Sequence, residues 1–74
     1  MTLVIGNSNR MYCLAIHENK IYSGGFGIIR IWDTYEYTKL ATLEGHTGDV
    51  ICLATHENKM YSGSEDNTIR IWNI

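Results

Sequence analysis

The sequence predicts an all-β fold, and three observations carry that expectation. No segment sustains the helical apolar period. The apolar residues fall instead in short runs rich in isoleucine and tryptophan, and clusters of Gly, Asn, Asp and Ser bound those runs. Such punctuation reads as strands joined by hairpins.

Self-similarity orders the strands. Residues 6–33 lie over residues 45–73 with an offset of 39 up to Gly27 over Asp66 and 40 from Ile28 over Thr68, leaving Asn67 unmatched. Of 28 aligned pairs, 15 are identical, including the runs CLA, HENK, YSG and IRIW. In the second copy, 49–55 is an apolar strand leading to the polar tip HENK at 56–59. A second strand follows at 59–62, then the turn GSEDN at 63–67, then a third strand at 68–72. Between the copies, a polar loop at 33–38 precedes a fourth strand at 39–43. Residues 1–5 align at the same offset with 40–44, and so read as one more outer strand.

Composition bounds the function. The chain has 74 residues with 45% hydrophobic and 19% charged, an ordinary globular balance for one small domain. Its net charge of −2 and sequence pI of about 5.8 disfavour nucleic-acid binding through bulk charge. No apolar run approaches the roughly 20 residues of a membrane helix, and MTLVI is too short for a signal-peptide core. Two cysteines without a CxxC pair suit a reducing, intracellular setting, so the cytoplasm is the expected location.

Gly45-His46, Ser62-Gly63, Asp66 in the following turn and Trp32-Asp33 together resemble the tryptophan–aspartate (WD40) repeat. The resemblance covers residues 6–73 and implies two four-stranded antiparallel propeller blades per chain. On that reading 6–44 is WD repeat 1 and 45–74 is WD repeat 2, which lacks its own outer strand. Residues 1–5 then complete a blade of a neighbouring chain. The copies depart from the pattern unequally. The second ends in Trp72-Asn73, while the first has Asn7 in place of the histidine and a turn, Gly25-Phe26-Gly27, that lacks the aspartate.

The family pattern implies a hydrogen-bonded chain from Asp66 to His46, His46 to Ser62 and Ser62 to the indole of Trp72. The first copy retains only Asn7, Ser23 and Trp32 of it, so its blade is expected to be the looser. Ser62, His46 and Asp66 also spell the residues of a hydrolase triad. Three features favour the structural role. Ser62 lies within a strand, no oxyanion-hole motif accompanies it, and the first copy drops two members. The chain is expected to be no enzyme and to hold no cofactor or metal.

Other side chains read as structure. Cys13 and Cys52 are expected to be small buried hydrophobes and free thiols on equivalent strands of different blades. His17 and His56 recur at polar tips. Arg30 and Arg70 read as packing stems with solvated heads, and Tyr12, Tyr22, Tyr61, Trp32 and Trp72 as core or blade contacts.

Function then rests on surfaces. The resemblance implies a rigid platform binding proteins or peptides on one rim, which here carries Asn9, Arg10, Phe26, Asp49, Glu65 and Asn67. Phe26 between two glycines is the expected apolar anchor. Asp49, Glu65 and Asp66 would make the rim acidic and suited to a basic peptide. Two other readings stay open: a fragment or engineered minimal unit whose main property is self-assembly, and a sugar-binding propeller. The rims of the two copies differ, against the repeated sites of a lectin. Two repeats cannot close a ring of typically 4–8 blades. Thr2, Leu3, Val4 and Ile5 are therefore expected to add to the open edge of the next copy. A homotetramer of about eight blades is favoured over a homotrimer of about six, with neither nucleic acid nor membrane as partner.

Overall fold

One strand serves two sheets. The computed structural model describes Val4 and residues 10–74. Its strands are β1 (Cys13–His17), β2 (Lys20–Gly24), β3 (Phe26–Asp33), β4 (Lys39–His56), β5 (Lys59–Ser64) and β6 (Ile69–Asn73), each antiparallel to the next. The first half of β4 pairs with β3, setting Ile29 opposite Leu43 and Ile31 opposite Ala41. The second half pairs with β5, setting Leu53 opposite Ser62 and His56 opposite Lys59. Four strands thus make a first unit, and three described strands make a second. Of the expected outer strand, Thr2, Leu3 and Ile5 lie outside the described residues, as do Asn7 and Asn9, and Val4 is exposed.

The expected strands at 39–43 and 49–55 are therefore parts of one strand, continuous through Gly45 to Asp49. The physical reason is Gly45, whose φ of 153° is open only to a residue without a Cβ. Across this stretch β4 shifts register against β3, from Glu44 opposite Ile28 to Asp49 opposite Phe26. A Cβ at Gly45 would also lie 3.1 Å from the Arg70 guanidinium, which covers that bend.

The repeated HENK tips fold alike. Each closes on a His–Lys pair, His17 opposite Lys20 and His56 opposite Lys59, with Glu18 and Glu57 left-handed at φ 54° and 56°. Each tip is then tied to the end of its third strand. Thr34 N–H donates to the Asn19 carbonyl at 3.0 Å, and Ile74 N–H donates to that of Asn58 at 2.9 Å. Asp33 initiates the polar loop through its carboxylate, which accepts from the Tyr35 amide at 2.7 Å.

The core lies where the two units face each other. Tyr22 and Ile29 of the first unit pack with Val50 and Met60 of the second, and all four are buried. Cys13, Ala15 and Ile31 extend the cluster from one side, and Leu53 and Trp72 from the other. Apolar burial drives this association at roughly 25 cal/mol per Å² removed from water.

Three burial expectations change. Cys13 is half-buried at this core, but Cys52 is exposed, because the face of the second unit that carries it has no neighbouring unit among the described residues. Arg30 is buried and does not present a solvated head; its guanidinium lies 4.0 Å from where a Cβ on Gly25 would be. Arg70, on β6 with only β5 beside it among the described residues, is exposed. Tyr12 is also exposed, just ahead of β1, whereas Tyr22 and Trp32 are buried.

Candidate functional site

His46 sits in the middle of β4, beyond the Gly45 bend, and is buried. Its two ring nitrogens face different elements. Nδ1 lies 2.9 Å from Asp66 Oδ2 in the turn between β5 and β6, and Nε2 lies 2.7 Å from Ser62 Oγ on β5. A carboxylate can only accept, so Nδ1–H donates to it and Nε2 accepts from the serine hydroxyl. Ser62 Oγ in turn accepts the indole N–H of Trp72 at 2.8 Å. Each polar side-chain group of this Asp66–His46–Ser62–Trp72 series is therefore hydrogen-bonded.

Asp66 is the most heavily bonded member. Its Oδ2 also accepts the Thr47 amide at 2.9 Å, and its Oδ1 accepts the Thr68 amide at 2.9 Å together with the Thr68 hydroxyl. The Asp66 amide donates to Ser64 Oγ at 3.1 Å. The Thr68 hydroxyl above all, then the Thr47 amide and His46, hold the Asp66 carboxyl well below the usual carboxylate range despite its partial burial. Thr47, Ser64 and Thr68 are functional parts of the turn that motif matching did not single out. A signal was present, because an aspartate two residues before a threonine is a common side-chain-to-backbone turn.

Among the described residues, the first unit shows only the last link. Trp32 donates to Ser23 Oγ at 3.0 Å on buried strands, and Asn7 lies outside the described residues. Its turn also differs from the alignment made on residues alone. Gly27 and Asn67 share the left-handed conformation, at φ 72° and 71°. Gly25 N–H donates to the Ile28 carbonyl at 2.9 Å as Ser64 N–H donates to that of Thr68 at 3.2 Å. Gly27 is thus the counterpart of Asn67, and the residue missing from the first turn is one before it.

The triad-like geometry of Ser62, His46 and Asp66 is closed to substrate. Ser62 is 0% exposed, and its oxygen already accepts from Trp72. No electrophile can reach it without dismantling the unit. Among the described residues, no group of three His, Cys, Asp or Glu side chains is placed to hold a metal ion.

The expected rim residues divide. Arg10, Phe26, Glu65 and Asn67 are all exposed, Glu65 and Asn67 in the turn after β5. Phe26 opens β3 at 76% exposure and lines a cleft of about 230 Å³ with Arg10, Ile28 and Arg30. Asp49 departs from the expectation: it lies inside β4, opposite Phe26, half-buried, with Oδ1 buried and unbonded among the described residues. With Asp49 turned inward and Asp66 engaged, Glu65 is the one carboxylate of the three left on an exposed residue. The acidic rim is reduced accordingly, and arginines flank the aromatic anchor.

Paired antiparallel strands, a glycine-histidine bend and an Asp–His–Ser–Trp hydrogen-bond chain define a propeller-blade scaffold. Residues 37–73 match the family model for the WD domain, G-beta repeat, and the chain belongs to that WD-repeat family. A bromodomain and WD repeat-containing protein of Dictyostelium discoideum is 34% identical over 77 aligned positions, covering 97% of this chain and 4% of that relative's length. The crystal structure of the computationally designed Ika4 protein matches with a TM-score of 0.83 and 31% identity, over 93% of this chain and 44% of that one. That of the computationally designed Ika8 protein matches with a TM-score of 0.82 and 31% identity, over 93% of this chain and 22% of that one. The chain therefore spans less than half the length of each.

Proposed function

We propose that the chain is a non-enzymatic WD-repeat platform that binds a protein or peptide on its rim and completes its propeller by association with further copies. The observation that carries the binding reading is Phe26, a large apolar side chain held out at 76% exposure on a rim that also bears Arg10 and Glu65. An exposed aromatic among polar neighbours supplies the anchor that interfaces concentrate their energy on. The hydroxyl, imidazole and carboxylate that chemistry would need are consumed inside the blade, which favours binding over catalysis.

On this reading 6–44 and 45–74 are the two repeats, and 1–5 supplies an outer strand to a neighbouring copy. A ring of four chains and about eight blades is favoured over three and about six. The cytoplasm is the proposed location. The test is a peptide array probed with the chain and with Phe26→Ser. Binding of a defined peptide set that is lost in Phe26→Ser supports the platform. A chain that binds no peptide, or binds equally without Phe26, overturns it.

A second reading is favoured by a specific observation, the bare apolar faces at both ends of the chain. Leu14 and Ile16 are exposed on the first unit, and Ile69 and Ile71 on the second. A minimal unit whose main property is assembly accounts for them without any rim ligand.

A further inference from the structure

The interface inside the chain has a knob and a socket. The socket is Gly24 beside Cys13: a Cβ on Gly24 would lie 2.5 Å from Cys13 Sγ and 2.8 Å from Val50 Cγ1. Val50 fills the space that the missing Cβ leaves. Its backbone is fixed there as well, since Val50 N–H donates to the Gly25 carbonyl at 2.9 Å and its carbonyl accepts from the Cys13 thiol at 3.3 Å. Tyr22 and Ile29 wall the socket, and Leu53 and Met60 flank the knob.

The repeat offset copies both halves onto the outside of the molecule. Gly24, Cys13, Tyr22 and Ile29 correspond to Gly63, Cys52, Tyr61 and Ile69, which line an open apolar hollow of about 160 Å³. A Cβ on Gly63 would meet Cys52 Sγ at 2.6 Å and nothing else within 4 Å, so this socket has no knob among the described residues. Val50, Leu53 and Met60 correspond to Met11, Leu14 and Ile21, which line a second hollow of about 160 Å³ with Ser23 and Trp32. The same residue types change exposure with position: Ile29 is 0% exposed and Ile69 74%. Apolar faces of this kind mark association surfaces.

We propose that the occupant is a second copy of this chain, with its Met11 seated over Gly63 and Cys52 as Val50 is seated over Gly24 and Cys13. This rests on the reading that the chain self-associates, and it names the surface involved. One molecule carries the two complementary halves at opposite ends, each matched to an interface already formed inside it. The bond from Val50 to Gly25 has a counterpart from the Met11 amide of the second copy to the Ser64 carbonyl. That carbonyl already accepts from Asn67 at 3.1 Å and keeps a further lone pair. The contact is heterologous, so it is directional and continues until a ring or a fibre forms.

Two complementary variants test it. Met11→Asp spoils the knob and keeps the socket, while Ile69→Lys spoils the socket and keeps the knob. Each alone is expected to sediment at the chain mass of 8.5 kDa, with a strand-type dichroism spectrum equal to that of the native chain. Mixed in equal amounts, they are expected to form a one-to-one dimer that grows no further, because only one competent contact remains. Met11→Cys supplies an independent readout: under mild oxidation it should form interchain disulfides with Cys52, which Cys52→Ser abolishes and Cys13→Ser does not. A native chain that is monomeric, variants that assemble like the native chain, a mixture that stays monomeric, or no cross-link from the introduced thiol to Cys52 each overturns the proposal. A native chain that assembles through this contact but captures no peptide defeats the rim reading alone.

Discussion

Ser62 Oγ stands between Trp72 Nε1 at 2.8 Å and His46 Nε2 at 2.7 Å, giving its proton to the imidazole and taking one from the indole. This single hydroxyl ties the third strand of the second unit to the strand that enters from the first. In the first unit Ser23 holds only the corresponding Trp32 indole, at 3.0 Å, among the described residues.

The two serines therefore differ in what their loss leaves behind. Ser62→Ala strands the half-buried Trp72 indole N–H and a buried imidazole nitrogen, the latter costing about 1–3 kcal/mol and the former less. Ser23→Ala strands, among the described residues, the buried Trp32 indole alone and is expected to cost less. His46→Ala should resemble Ser62→Ala, since it leaves the Ser62 hydroxyl without its acceptor. Urea midpoints on the three variants check the order. Ser23→Ala as damaging as Ser62→Ala would show that the additional link to His46 adds no stability.

Much of this was legible in the residues, for physical reasons. Identical runs such as HENK and IRIW must satisfy identical backbone needs, so hairpins and strand order follow directly from the repeat. The continuity of β4 was not legible, because Gly45-His46-Thr47-Gly48 has the composition of a loop. What makes it strand is the Gly45 φ of 153° beneath Arg70, a tertiary fact. The fate of Cys52 and Asp49 was hidden for a related reason. Burial depends on which face meets a neighbour, and equivalent residues such as Cys13 and Cys52 differ only in that. The turn alignment misplaces Gly27, because glycine matches Asn67 in φ and no other residue in chemistry.

Acid should loosen the second unit through Asp66. Its carboxyl titrates well below the unfolded value of 3.8 because the Thr68 hydroxyl, the Thr47 amide and His46 favour the charged form. A lowered folded-state value means that the unfolded chain binds the proton first. The stabilisation is thus fully present above about pH 5 and falls away as pH drops through and below the unfolded value. Asp66→Asn removes this titration and should flatten the fall in stability between about pH 5 and pH 3 relative to the native chain. Denaturant midpoints across that range decide it, and parallel curves for the two proteins would sink the assignment.

Gly24 and Gly63 are equivalent in sequence but not in surroundings. Alanine at Gly24 meets both Cys13 Sγ and Val50 Cγ1 inside the formed core, an overpacking expected to cost about 1–3 kcal/mol. Alanine at Gly63 meets only Cys52 Sγ, on an exposed residue that can turn away. In the Met11→Asp background, where association is blocked, Gly24→Ala should lower the thermal midpoint clearly more than Gly63→Ala. Equal effects would show that Val50 yields freely and that the socket is not tightly built.

The thiols report the same asymmetry without any glycine change. Both cysteines are free, so alkylation without reductant after unfolding should give two adducts per chain. In the folded chain their rates should separate. Burial pushes the Cys13 thiol up, and that thiol donates to the Val50 carbonyl at 3.3 Å, so little thiolate is available and access is poor. Cys52 lies exposed at the open socket. In the Met11→Asp variant, a mass-resolved time course with iodoacetamide should therefore label Cys52 first and Cys13 more slowly. In the native chain Cys52 should become progressively protected as protein concentration rises, while Cys13 stays slow throughout. Labelling in which Cys13 leads would reverse the assignment of faces on which the knob and socket rest.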